Sequence, residues 1–140
     1  MALDDLIEFF EQLTPSSVVR FPEFYSADAW FKDPFNEVHG VAAIQRIFSH
    51  MFTQVGAPRF IVTGKVADAD GALLIWEFRC LIRVWGRERP QVMRGVSHLK
   101  FDNQGRVNYH RDYWDAAEEL YMKLPLVGTL MRGLRRLMAA

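Results

Sequence analysis

Cysteine is almost absent, Cys80 being the single one. An intrachain disulfide is excluded, and no cysteine-based zinc pattern is left. A lone thiol fits a reducing compartment. Charge of one sign is lacking too: 17 Lys and Arg stand against 17 Asp and Glu. That excludes the concentrated basic surface that a phosphate backbone demands, so no nucleic-acid partner is expected. No apolar run approaches the roughly 20 residues of a membrane span. The opening Met1-Ala2-Leu3-Asp4-Asp5 is acidic where a secretory signal is basic. A cytoplasmic protein without a membrane partner is therefore expected. The histidines, His39, His50, His98 and His110, have no HExxH-type spacing, so no metal is expected. There is no glycine-rich phosphate loop and no Gly-x-Ser-x-Gly elbow, which argues against a cofactor and against a serine hydrolase.

Aromatic residues are what the chain has in excess, with 11 Phe, 4 Trp and 4 Tyr in 140 residues. One domain of this length, half of it hydrophobic, can bury a core without disulfides or metal. The rings fit either an aromatic core or a deep apolar pocket.

The order of elements follows from the spacing of apolar residues. Leu3, Leu6, Ile7, Phe10 and Leu13 form one helical stripe. Thr14-Pro15-Ser16-Ser17 breaks it, and a second helix carries Val18, Val19, Phe21 and Phe24. Residues 27–38 read as irregular or briefly extended. A third helix runs from about Val41 to Val55 and is stopped by Gly56. From residue 59 the period becomes strand-like, with four strands separated by turns at 68–71, 86–88 and 102–105. Helices before strands predict an α+β fold. A run of thirteen strand-like residues, Leu73 to Trp85, suggests a strongly curled antiparallel sheet on which the three helices pack as a cone. Beyond residue 120 lies a basic amphipathic helical tail, 121–140, with Lys123, Arg132, Arg135 and Arg136 beside Leu124, Leu130, Leu134 and Leu137.

Alternation sorts the strands into faces. Trp76 and Phe78 share one face, Glu77 and Arg79 the other; His110, Asp112 and Trp114 share a face of the last strand. A carboxylate in an apolar pocket can serve as acid or base, and an arginine beside it can orient it. Glu77, Arg79 and Asp112 are the candidates if the curled sheet brings them into one cavity. Asp33, held before Pro34 between aromatics, is another, either as a base or as a turn residue.

Three segments carry a family resemblance: Phe31-Lys32-Asp33-Pro34-Phe35, Gly40 with Ala43-Ile44, and Gly105-Arg106-Val107 leading to His110-Arg111-Asp112-Tyr113-Trp114-Asp115. Over residues 3–120 the chain resembles the NTF2-like (cystatin-like) superfamily. Within it, the chain is most similar to the group of SnoaL-like polyketide cyclases, ketosteroid isomerase and limonene epoxide hydrolase. The resemblance implies a domain over 1–120, an apolar pocket, and acid–base isomerase, cyclase or epoxide-hydrolase-like activity on a small hydrophobic substrate. Asp33 matches the proton-shuttling aspartate of ketosteroid isomerase, whose oxyanion donors fall here on Phe9 or Phe10 and on Ser97. Asp112 and Arg79 match two members of the epoxide hydrolase Asp–Arg–Asp set; the third falls on Leu81, with Glu77 two residues before the arginine instead. The implied catalytic residues are Asp112, Asp33, Arg79 and Glu77. The implied ligand contacts are Trp30, Phe31, Trp76, Ser97, His110, Tyr113 and Trp114. Non-catalytic binding of a hydrophobic ligand and a protein-interaction module stay open as alternatives. A homodimer paired through the outer sheet face is expected.

Overall fold

The computed structural model describes residues 2–119 and 125–139. The expected boundary at 120–121, and Lys123 and Leu124 of the expected tail, lie outside the described residues. The N-terminal helix α1 (Leu3–Glu11) buries Leu6 and Phe10 of the predicted stripe together with Phe9, which lay outside it. At Thr14 and Ser17 each side chain accepts the other's backbone N–H, at 3.2 and 2.8 Å, so the chain re-enters a helical path at Pro15. The expected second helix is a 3₁₀ turn, Pro15–Arg20, followed by the short α2 (Phe21–Phe24).

The stretch 27–38, read as irregular or briefly extended, belongs to two strands: β1 (Tyr25–Lys32) hairpins into β2 (Glu37–His39). Helix α3 (Val41–Gln54) follows Gly40, whose φ of 102° is reached at low cost only by glycine and whose N–H bonds the Ala29 carbonyl at 2.8 Å. Four long strands complete the sheet: β3 (Gly56–Asp68), β4 (Gly71–Val84), β5 (Arg87–Phe101) and β6 (Val107–Tyr113). A short helix, α4 (Ala116–Glu119), precedes α5 (Pro125–Met138), on which Leu130, Leu134, Leu137 and Met138 are exposed.

The expectation of a strongly curled antiparallel sheet is corrected. The sheet is open and mixed, in the order β2-β1-β6-β5-β4-β3, with β1 parallel to β6. Strand length, the reason for expecting curl, is used otherwise. Beyond Leu81, β4 and β5 pair only with each other, from Ile82 with Arg89 to Val84 with Arg87. They form a projecting ribbon, closed by a two-residue turn at Trp85 and Gly86, both at positive φ. Helices α1, α2 and α3 cover one face of the sheet. Phe9, Phe21, Phe24 and Phe48 pack there against Tyr25, Phe31, Leu74 and Leu99, with Phe9 and Phe24 stacked at 4.4 Å.

Candidate active site

One end of the helix-covered face is packed solid with aromatic rings; beside it lies a hollow of about 870 Å³. Ala43, Ile47 and Met51 of α3 form one wall. Phe60, Trp76, Phe78 and Met93 of the sheet form the other. Phe35 and Trp114 meet edge to face at its mouth, 5.5 Å apart. A smaller cavity of about 30 Å³ leads deeper, between Phe10, Ser97, Leu99, His110 and Asp112. Asp112 borders both spaces, as well as an open cleft of about 490 Å³ lined by Lys32, Arg111 and Tyr113.

Register explains why polar groups converge on Asp112. Leu74 pairs with Ser97, and Ser97 with Asp112, so these three side chains stand in a row on the inner face. Trp76 pairs with Gly95, and its indole lies across the glycine; a Cβ there would meet the ring at 2.4 Å. Held flat, the indole donates from Nε1 to Ser97 Oγ at 2.9 Å. Ser97 in turn donates to Asp112 Oδ1 at 2.5 Å. His110 Nε2 lies 2.6 Å from the same oxygen. The Tyr25 hydroxyl lies 2.6 Å from His110 Nδ1. The four supporting residues are buried, at 1% exposure for Tyr25, 2% for His110, 6% for Ser97 and 8% for Trp76. Burial, and then the negative charge of Asp112, hold the Tyr25 hydroxyl well above its usual pKa. Asp112 Oδ2 takes no hydrogen bond from any described residue. The result is a carboxylate with one oxygen fixed by two neighbours and the other available beside an apolar hollow.

Phe31, Trp76, Ser97, His110, Trp114 and Asp112 thus come together as a group. Asp33 also borders the hollow and Tyr113 the cleft beside Asp112, whereas Glu77, Arg79 and Trp30 lie elsewhere. Glu77 and Arg79 form an ion pair at 2.9 Å on the opposite face of the sheet, alternating with the inward Trp76 and Phe78. Trp30 is on that outer face as well, stacked on Tyr109 at 4.8 Å. Tyr113 is half exposed and borders the open cleft. Asp33 reaches the hollow's rim, but its Oδ1 accepts the N–H groups of Phe35 and Asn36 at 2.8 and 2.6 Å, the work of a turn residue. Sequence reasoning missed Tyr25, which contacts a histidine 85 positions away. It also missed the α3 wall. The signal there was a stripe too wide for a helix that only covers a core: Ile44 and Phe48 are buried, whereas Ala43, Ile47 and Met51 flank the hollow.

This α+β architecture, with α1–α3 on one face of an open mixed sheet, is the NTF2-like fold. The chain belongs to the SnoaL-like domain family, which matches residues 6–110. Among curated proteins nothing matches the sequence. Solved structures share the fold. One is a protein with a ketosteroid isomerase-like fold from Catenulispora acidiphila, in complex with trimethylamine; it is 12% identical at a TM-score of 0.71, over 88% of this chain and 92% of that one. A candidate SnoaL-like polyketide cyclase from Shewanella putrefaciens is 18% identical at 0.68, over 88% of this chain and 99% of that one. An NTF2-like protein from Exiguobacterium is 16% identical at 0.62, over 81% and 97%.

Proposed function

We propose that the hollow binds a small, largely apolar carbonyl compound and that Asp112 relocates a proton on its carbon skeleton, as in cofactor-independent isomerases and cyclases. The carrying observation is the asymmetric environment of Asp112. Ser97 and His110 engage Oδ1, Oδ2 takes no hydrogen bond from any described residue, and Asp112 borders the hollow. In the step proposed, a C–H bond α to the carbonyl breaks and its proton passes to Oδ2. The electron pair moves into the enolate; Oδ2 then returns the proton to another carbon or, where the enolate carbon bonds a second carbonyl carbon to close a ring, to the oxygen that receives that carbonyl's π electrons. A carboxylate oriented in advance for a bound substrate has the geometric advantage this chemistry needs. The position of Glu77 and Arg79 on the other face argues against water activation by an Asp–Arg–Asp set. The hydrogen bonds on Asp33 argue against a shuttle there.

Deuterium exchange at the α-carbon of cyclic enones and β-keto esters, followed by proton NMR in D₂O, tests the proposal. Wild type should accelerate exchange and Asp112→Asn should lose about a hundredfold or more, while ligand-induced quenching of tryptophan fluorescence persists in both. Equal exchange in the two proteins would overturn it. One observation favours a second reading, binding without turnover. Asn36, Arg46, His50 and Gln54 beside the hollow are exposed at its rim, the Trp76 indole N–H is engaged by Ser97, and the Trp114 indole, half-buried, stands at the mouth. No donor is thereby assigned to an enolate oxygen deep inside. Ligand binding with no exchange in wild type would support that reading.

The trimethylamine complex of the Catenulispora protein is consistent with a small molecule with apolar substituents in this chain's hollow too. We also propose a homodimer through the outer sheet face, where exposed Leu73, Ile75 and Tyr113 alternate with charges of both signs, among them Glu77 and Arg79. Sedimentation of wild type against Ile75→Glu tests it: a dimer that the substitution splits is expected, and a monomeric wild type would overturn it.

A further inference from the structure

The protons of the buried network can be counted one by one. The Trp76 indole is a donor only, so Ser97 Oγ accepts there and must place its own proton on Asp112 Oδ1. The Tyr25 hydroxyl has one polar neighbour among the described residues, His110 Nδ1. At 1% exposure it has no water to turn to. If Nδ1 carried a proton, the tyrosine oxygen would accept it and the tyrosine's own proton would be stranded in a dry site. The hydroxyl therefore donates to Nδ1, and the imidazole proton sits on Nε2, facing Asp112 at 2.6 Å. The groups around the ring agree. Phe10 of α1 approaches edge-on at 6.1 Å and Phe31 of β1 lies at 4.7 Å. The titratable groups in contact with it, among the described residues, are Tyr25 of β1 and Asp112 of its own strand. The high pKa of the Tyr25 hydroxyl means it keeps the proton it donates.

We propose that Tyr25 fixes His110 as its neutral Nε2–H form, so that His110 is a positioning residue for Asp112 and neither its counter-ion nor a carrier of the transferred proton. The arrangement makes the open Oδ2 edge of Asp112 the one place in the network where a proton enters or leaves. Four residues from four strands serve the other oxygen, Oδ1: Trp76 and Ser97 from one side, Tyr25 and His110 from the other. The functional half of this inference rests on the proton-transfer reading of Asp112; the assignment of protons stands without it.

The tests separate the two. In full-length protein with ¹⁵N-labelled histidine, near neutral pH, the His110 signals (identified by their loss in His110→Gln) should show Nε2 protonated and Nδ1 bare and hydrogen-bonded. In Tyr25→Phe, which keeps the ring, Nδ1 should move to the shift of a free nitrogen or gain a proton. Two protonated nitrogens in wild type, or an Nδ1 shift unchanged by Tyr25→Phe, would overturn the assignment, whatever the protein does to a substrate. For the functional half, His110→Gln supplies an amide N–H to Asp112 and a carbonyl to Tyr25 but cannot carry a proton. It should retain α-proton exchange on a cyclic enone within about threefold, whereas His110→Leu should lose about a hundredfold. If glutamine and leucine are equally impaired while both proteins keep wild-type melting temperatures, His110 carries the proton and the inference fails.

Discussion

Replacing Ser97 by alanine removes one oxygen that serves two partners. Asp112 Oδ1 loses a 2.5 Å hydrogen bond, and the Trp76 indole N–H loses its acceptor in a region where Ser97 itself is 6% exposed. A hydrogen bond to a charged acceptor contributes about 1.5–3 kcal/mol, and a stranded buried donor costs about 1–3 kcal/mol. The adjoining cavity of about 30 Å³ has room for a water that could re-satisfy the indole, which places the total toward the low end. We expect Ser97→Ala to destabilise the fold by about 3 kcal/mol, a fall in melting temperature on the order of 10 °C. Urea denaturation, monitored by circular dichroism, measures it. Because the donor is stranded only while the indole is present, Trp76→Phe combined with Ser97→Ala should cost less than the sum of the singles by about 1 kcal/mol or more. A Ser97→Ala protein within about 0.5 kcal/mol of wild type, or strict additivity in the cycle, would refute the hydrogen-bond chain as drawn.

Three other outcomes follow from the same geometry. Gly95→Ala places a Cβ 2.4 Å from the Trp76 ring, so the indole must move; a loss of about 1–3 kcal/mol and an altered near-ultraviolet tryptophan spectrum are expected. Asp33→Ala loses the acceptor for two backbone N–H groups and should cost about 1–2 kcal/mol, whereas Asp33→Asn keeps an acceptor and should leave both stability and α-proton exchange near wild type; a hundredfold loss of exchange in Asp33→Asn would make it a base. Tyr25 is held above the ordinary tyrosine value, so the unfolded chain gives up this proton before the folded one does. Its contribution is complete below a pH of about 10 and declines as the pH rises from there through the folded value. Equilibrium denaturation across that window should show the decline in wild type and less of it in Tyr25→Phe.

Local patterns in the sequence carried much of this architecture. The stripe from Leu3 to Leu13, the breaker at Thr14-Pro15 and the run from Val41 to Val55 each contain their own signal, and α1 and α3 fall there. Turn residues at 68–71 and 102–105 marked two strand ends. What was not legible depended on pairing. Strand β1 contains Ser26, Ala27, Asp28 and Ala29, poor strand formers, and is held by a parallel neighbour far along the chain, with an irregularity between Tyr25 and Trp30. Strand length alone did not distinguish a curled sheet from a projecting ribbon; the register at Val84 and Arg87 does. Grouping Glu77 and Arg79 with Asp112 required β4 to be registered against β6 through β5. The observed row Leu74–Ser97–Asp112 leaves the odd-numbered residues of β4 on the other face. Asp112, His110, Ser97 and Trp76 were named on the family resemblance; alternation along β4, β5 and β6 puts them on one face but did not say which face borders the hollow.

The most direct measurement is a crystal structure with a bound planar enolate mimic, such as a phenol on a fused apolar ring system. The ring system should lie between Met51 of α3 and Phe60 and Trp76 of the sheet, with its oxygen-bearing edge within hydrogen-bond distance of Asp112 Oδ2. A mimic seated instead in the open cleft beside Lys32 and Arg111, or in the hollow but out of reach of that oxygen, would contradict the account.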